Sequence, residues 1–135
     1  MDVTKRNKLI GGLLNQPAPP VVEIERFFDG NDDPGSIGCN LVNHPGVEIF
    51  KSSLIGLTRR GDVEAVYAQI AEIDPGARSW PFTDTIFVAG RIELEDLRKL
   101  LEPLQPDEVG LGKHFGIPPV ITDRHKEPVL AAWWD

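Results

Sequence analysis

The chain has 135 residues, near the commonest size of a single domain, and 21 acidic against 14 basic side chains give a net charge of −7. An apolar fraction of 41% with 26% charged residues argues against wholesale disorder. A single cysteine, Cys39, excludes an internal disulfide, the negative charge disfavours generic nucleic-acid binding, and no apolar run approaches the ~20 residues that span a bilayer.

No basic-then-apolar secretion leader with a small-residue cleavage site is visible, so a cytoplasmic, reducing location is the expectation. Residues 1–20 read as an N-terminal leader. Leu9, Ile10, Leu13 and Leu14 suggest a short docking helix, weakened by Gly11 and Gly12 and ended by Pro17, Pro19 and Pro20. Residues 21–135 read as a single α+β domain.

Val21 to Phe28 is predicted as the first strand, with Val22, Ile24 and Phe28 on one face and Glu23, Glu25 and Phe27 on the other. Asp29 to Pro45 lacks periodicity and reads as a long loop, anchored by Ile37, Leu41 and Val42; structureless connections this long are often functional. A helix follows Pro45, with Val47, Phe50, Leu54 and Leu57 as its apolar stripe. A strand is predicted within residues 62–73, apolar on two faces and therefore covered at least in part on both sides, and another over about 82–89, with Ile86 and Val88 opposite Phe87 and Ala89. A second helix spans about residues 93–102, with Leu94, Leu97, Leu100, Leu101 and Leu104 inward. Glu108 to Leu111 is a short strand, residues 112–128 a loop, and Val129 to Trp134 the last strand.

The resulting order, β-α-β-β-α-β plus one strand, is that of the ferredoxin-like split βαβ fold. The expected architecture is thus a ferredoxin-like sheet with an extra C-terminal strand and helices on one face, entered by a right-handed crossover. That fold hosts many functions, so it specifies no chemistry.

Among candidate sites, the acidic stretch is the sharpest. Asp29, Asn31 and Asp33 alternate as calcium-loop ligands do, but Pro34 occupies the required glycine position and Asn40 the closing glutamate. A solvated turn accounts for the composition. With Glu23 and Glu25 on the preceding strand, residues Asp29, Asn31, Asp32 and Asp33 are predicted to form one acidic face. Cys39 and His44 are the one close thiol–imidazole pair, yet no nucleophile motif surrounds them and Cys39 reads as a small core residue. His44, His114 and His125 show no ligand spacing, so neither a metal nor a cofactor is expected, and no catalytic residue is assigned.

The favoured function is therefore non-enzymatic binding of a basic protein partner through the acidic face, in the manner of toxin-neutralising immunity proteins. Nucleic acid and membranes are not expected partners. Two alternatives stand beside it. One is a small-molecule or metal-binding module using the 29–45 loop. The other is a small hydrolase or isomerase assembled from Cys39, His44 and nearby carboxylates.

Overall fold

The computed structural model describes residues 1–135 and begins with a helix, α1 (Val3–Leu14). The Asp2 carboxylate caps it by accepting the Lys5 N–H at 3.0 Å. Leu9 and Leu13, four residues apart and so on one face, enter the main core, while Leu14 stays exposed. Arg6 fastens α1 to the rest of the chain. Its guanidinium donates to the Ser79 carbonyl at 2.7 Å, the Gly76 carbonyl at 2.6 Å and the Asp74 carboxylate at 2.7 Å.

The stretch from Val21 to Phe28, expected as one strand, divides into β1 (Val21–Glu23) and a one-turn helix, α2 (Ile24–Phe28). The spacing explains the correction. Ile24, Phe27 and Phe28 stand at i, i+3 and i+4, one face of a helix, and all three are fully buried. A strand would turn Phe27 outward. The connection after α2 is also more ordered than expected. It contains a 3₁₀ turn (Pro34–Ser36), and Ile37 is buried and bridges to Thr83. Leu41 packs on the core, but Val42 does not anchor the loop, being 97% exposed.

The remaining elements are α3 (Val47–Thr58), β2 (Val63–Glu72), β3 (Phe82–Gly90), α4 (Leu94–Leu101), β4 (Glu108–Leu111), α5 (Pro119–Arg124) and β5 (Val129–Trp133). The predicted stripe of α3 is wholly buried. That of α4 is buried at Leu97 and Leu101 and at Leu104 beyond it, whereas Leu100 lies exposed. Of the tryptophans, Trp80 and Trp134 are core residues.

The five strands form one antiparallel sheet in the order β1-β2-β3-β5-β4. The α+β class stands, but the ferredoxin-like connection expected from element order does not form. Two helices separate β1 from β2, and the chain returns antiparallel beside β1 (Val22 opposite Ala68) instead of crossing over to a parallel strand. Nor do all helices share one face. Val22, Val66, Ala68, Ile70, Ile86, Val88, Leu130 and Ala132 meet α1 to α4 on the main face. Val21, Tyr67, Phe87 and Ala131 point the other way and are covered by Ile121 of α5. Burying a large apolar side chain contributes about 1.5–3 kcal/mol. This face, closed by Ile121 with the partly buried Phe115, Ile117 and Val120, has a smaller core than the 25-residue main cluster and is held less firmly. No helix is long and apolar enough to cross a membrane.

Candidate functional site

The loop residues of the predicted acidic face have partners within the chain. Asp29 accepts a hydrogen bond from Lys5 Nζ at 2.6 Å, and Asp32 accepts one from the Met1 ammonium at 2.8 Å. Asp33 caps the 3₁₀ turn through the Gly35 N–H (2.8 Å) and takes the Trp80 N–H on its second oxygen (2.9 Å). Asn31 is buried. Its amide donates to Ser36 Oγ at 3.0 Å, and its carbonyl oxygen accepts the Asp33 N–H at 2.9 Å. These residues clasp α1, the loop and the Trp80 segment together. Glu25 sits exposed on α2, so it shares no strand face with Glu23.

Cys39 is exposed, which corrects its reading as a core residue. Its expected partner His44 is engaged by backbone on both ring nitrogens. Nδ1 accepts the Gly46 N–H at 2.9 Å, so Nε2 carries the proton that goes to the Ile37 carbonyl at 2.9 Å. His44 is therefore not free to act as a base toward the thiol. No group of three or more His, Cys, Asp or Glu side chains is placed to hold a metal ion.

Three carboxylates are held below the usual range: Asp32 by the Met1 ammonium, Asp62 by Arg60 and Glu127 by Arg91. A carboxyl group more acidic in the folded state stabilises the fold above its unfolded pKa. That stability is lost as the pH falls through the folded value. The melting temperature is therefore expected to decline on acidification below the ordinary carboxylate range. The double variant Asp62→Asn, Glu127→Gln should decline less. Parallel melting curves for the two proteins across an acid series would contradict this assignment. Solvent screening keeps each increment small.

A well-formed cavity lies elsewhere. A cavity of about 460 Å³ opens between the α1–β1 connection, β1 and α5. Its wall includes Pro17, Pro19, Val21, Tyr67, Arg26 and Arg124. Proline fixes φ, so the walls from the α1–β1 connection and from Pro118 and Pro119 are stiff before any ligand arrives. Arg26 lies in the last turn of α2, and Arg124 ends α5. Four of the eight arginines pair with carboxylates, but neither of these two does, although acidic residues outnumber basic ones. Glu23 is the carboxylate that borders the cavity.

Tyr67, the sole tyrosine of the chain, joins this wall to a hydrogen-bonded chain. Its hydroxyl lies 2.8 Å from His125 Nε2, and His125 Nδ1 lies 2.8 Å from Glu64 Oε1. An ionised carboxylate only accepts, so Nδ1 carries a proton, and Nε2 of the neutral ring accepts from the tyrosine. The side chain of His125 is 11% exposed and that of Glu64 47%, so the chain runs from a covered phenol to a wet carboxylate. Glu64 borders a second cleft with Arg91 and Glu127.

Glu64 reaches this side of the sheet through a bulge. Val63 pairs with Gly90 and Ala65 with Ala89, which leaves Glu64 as the extra residue. A regular strand would turn positions 64 and 67 to opposite faces, so sequence spacing gives no hint that they meet. Arg26, Glu64, Tyr67, Arg124 and His125 were all missed as site residues. The available signal was the helix start at Pro118-Pro119, which would have placed Arg124 and His125 at a helix end instead of in a loop.

No solved structure matches this chain. A protein of Escherichia coli (strain K12), described as "Uncharacterized protein YfbO", is 27% identical over 139 residues, spanning 98% of this chain and 96% of its own length. The match of the Uncharacterized protein YfbO family covers residues 4–128, from α1 to the approach of β5, and the chain belongs to that family.

Proposed function

We propose that this protein binds a small anionic organic molecule in the cavity between the α1–β1 connection and α5. The observation that carries this reading is the pair of unpaired guanidiniums, Arg26 and Arg124, on one stiff-walled cavity in an otherwise acidic protein. A volume of about 460 Å³ suits a metabolite-sized ligand. Val21, Val22 and Val120 supply apolar wall, and the arginines supply planar donors for a carboxylate or phosphate. Docking of a basic protein on the acidic loop has less support, because Asp29, Asp32 and Asp33 already have partners within the chain.

Citrate and inorganic phosphate are suitable probes, followed by NMR chemical-shift changes and calorimetry. Saturable binding with shifts centred on Arg26, Tyr67 and Arg124 is expected. Hydrogen bonds to charged groups contribute about 1.5–3 kcal/mol each. The variants Arg26→Ala and Arg124→Ala should therefore each weaken binding by roughly tenfold or more. Absence of saturable binding, or wild-type affinity in both variants, would refute the proposal.

A further inference from the structure

We propose that the cavity is a catalytic site in which Tyr67 acts as general base, made competent by His125 and Glu64; this rests on the anion-binding reading above. The three side chains have the geometry such chemistry requires. The reacting hydroxyl lies within hydrogen-bond reach of an imidazole, and that imidazole is oriented on its far nitrogen by a carboxylate. Tyr67 is the one residue that belongs both to the cavity wall and to this chain of hydrogen bonds. Elsewhere the fold engages its polar side chains structurally: His44 holds two backbone groups, and the acidic loop clasps α1. The Tyr67–His125–Glu64 chain crosses from β2 to the end of α5 and returns to the bulge in β2.

The step conserves atoms and charge. A proton leaves the substrate for Tyr67 Oη as the phenolic proton passes to His125 Nε2. The electron pair of the broken bond stays on the substrate, and its negative charge is held by Arg26 and Arg124. The imidazolium is balanced by the Glu64 carboxylate. Returning the proton through Tyr67 to a different substrate atom restores all three groups. The reaction class is therefore a proton-transfer isomerisation of an anionic molecule, which needs no oxidant, reductant or second substrate. The arginines meet the charge where it develops, as catalysis requires. Tyr67 is the residue that meets substrate; His125 and Glu64 position and charge it.

The single tyrosine gives this proposal a direct readout. Phenylmethanesulfonyl fluoride reports the same activation: Tyr67 Oη attacks sulfur, the S–O bond forms, S–F breaks, fluoride leaves, and the phenolic proton reaches solvent through His125. Intact mass and peptide mapping should find an adduct on Tyr67. General-base assistance contributes about 10²–10⁴-fold in rate, so the variant His125→Ala should label at least about tenfold more slowly. Imidazole added to the buffer should restore part of that rate, which a merely structural role for His125 would not allow. Glu64→Gln, at a half-exposed position, should slow labelling several-fold with the fold intact by near-UV circular dichroism. That variant carries the test if His125→Ala fails to fold. An unlabelled Tyr67, or equal rates in wild type and a folded variant, overturns the proposal. Citrate should protect Tyr67. Labelling that depends on His125 but ignores citrate and phosphate would refute the anion-binding reading alone.

Discussion

Phe27→Ala is expected to lower the unfolding free energy by about 3–5 kcal/mol, the usual range for truncating a buried phenylalanine. Phe27 is fully buried on α2 and stacks edge-on against Phe28 with ring centroids 5.1 Å apart. Part of the cost is lost transfer from water, and part is the cavity left among neighbours that relax incompletely. Asn31 donates weakly to the Phe27 carbonyl, so the loop after α2 also depends on how this turn sits. Urea unfolding measures the effect. The result also separates two backbones. In an extended strand Phe27 would point with Glu23 and Glu25 into water, and its truncation would cost a few tenths of a kcal/mol. A near-neutral variant would thus contradict the helix.

That comparison explains where the sequence was readable. Long apolar periods survived contact with the structure: Val47, Phe50, Leu54 and Leu57 on α3, and Leu97 and Leu101 on α4. Alternation also held in β3 and β5, where Ile86, Val88, Leu130 and Ala132 face one layer and Phe87 and Ala131 the other. Short segments failed. Eight residues at 21–28 fit either period, and only the triple Ile24, Phe27, Phe28 tips the balance toward a helical turn. Strand order was not legible either, because element order alone does not say whether β2 returns beside β1 or crosses over.

The candidate site was less legible than the fold. Local composition drew attention to Asp29, Asp32 and Asp33, whose partners Lys5, Met1 and Trp80 are distant in sequence. Charge clusters read as surface until the cations that fold onto them are known. The Tyr67–His125–Glu64 chain has the opposite problem. Its members are 58 and 61 residues apart where they touch, and they stand in stretches of ordinary composition. A bulge, which shifts facing by one residue, hides the one local relation they have.

Gly90→Ala tests that bulge and is expected to cost about 2–6 kcal/mol, the sum of backbone strain and overpacking of about 1–3 kcal/mol each. Gly90 has φ of +150°, a conformation that L side chains rarely adopt. An added Cβ would collide with the Asp62 carbonyl oxygen and come within 2.8 Å of Val63 Cα. Both are backbone atoms, so no side-chain rotation relieves the contact. The Asp62 carbonyl is itself fixed by the N–H groups of Arg91 at 2.8 Å and Ile92 at 3.1 Å. Relief therefore requires the two strands to part where Val63 pairs with Gly90, the position that sets the direction of Glu64. Two consequences should appear together: a lower midpoint in urea, and slower sulfonylation of Tyr67 as Glu64 loses its hold on His125. Gly61→Ala is the control, because a Cβ at Gly61 meets nothing within 4 Å. A Gly90→Ala protein as stable as that control would show that the Val63–Ala65 bulge is not locked by close backbone contact. Full stability loss with unchanged Tyr67 labelling in the residual folded protein would separate the bulge from the relay.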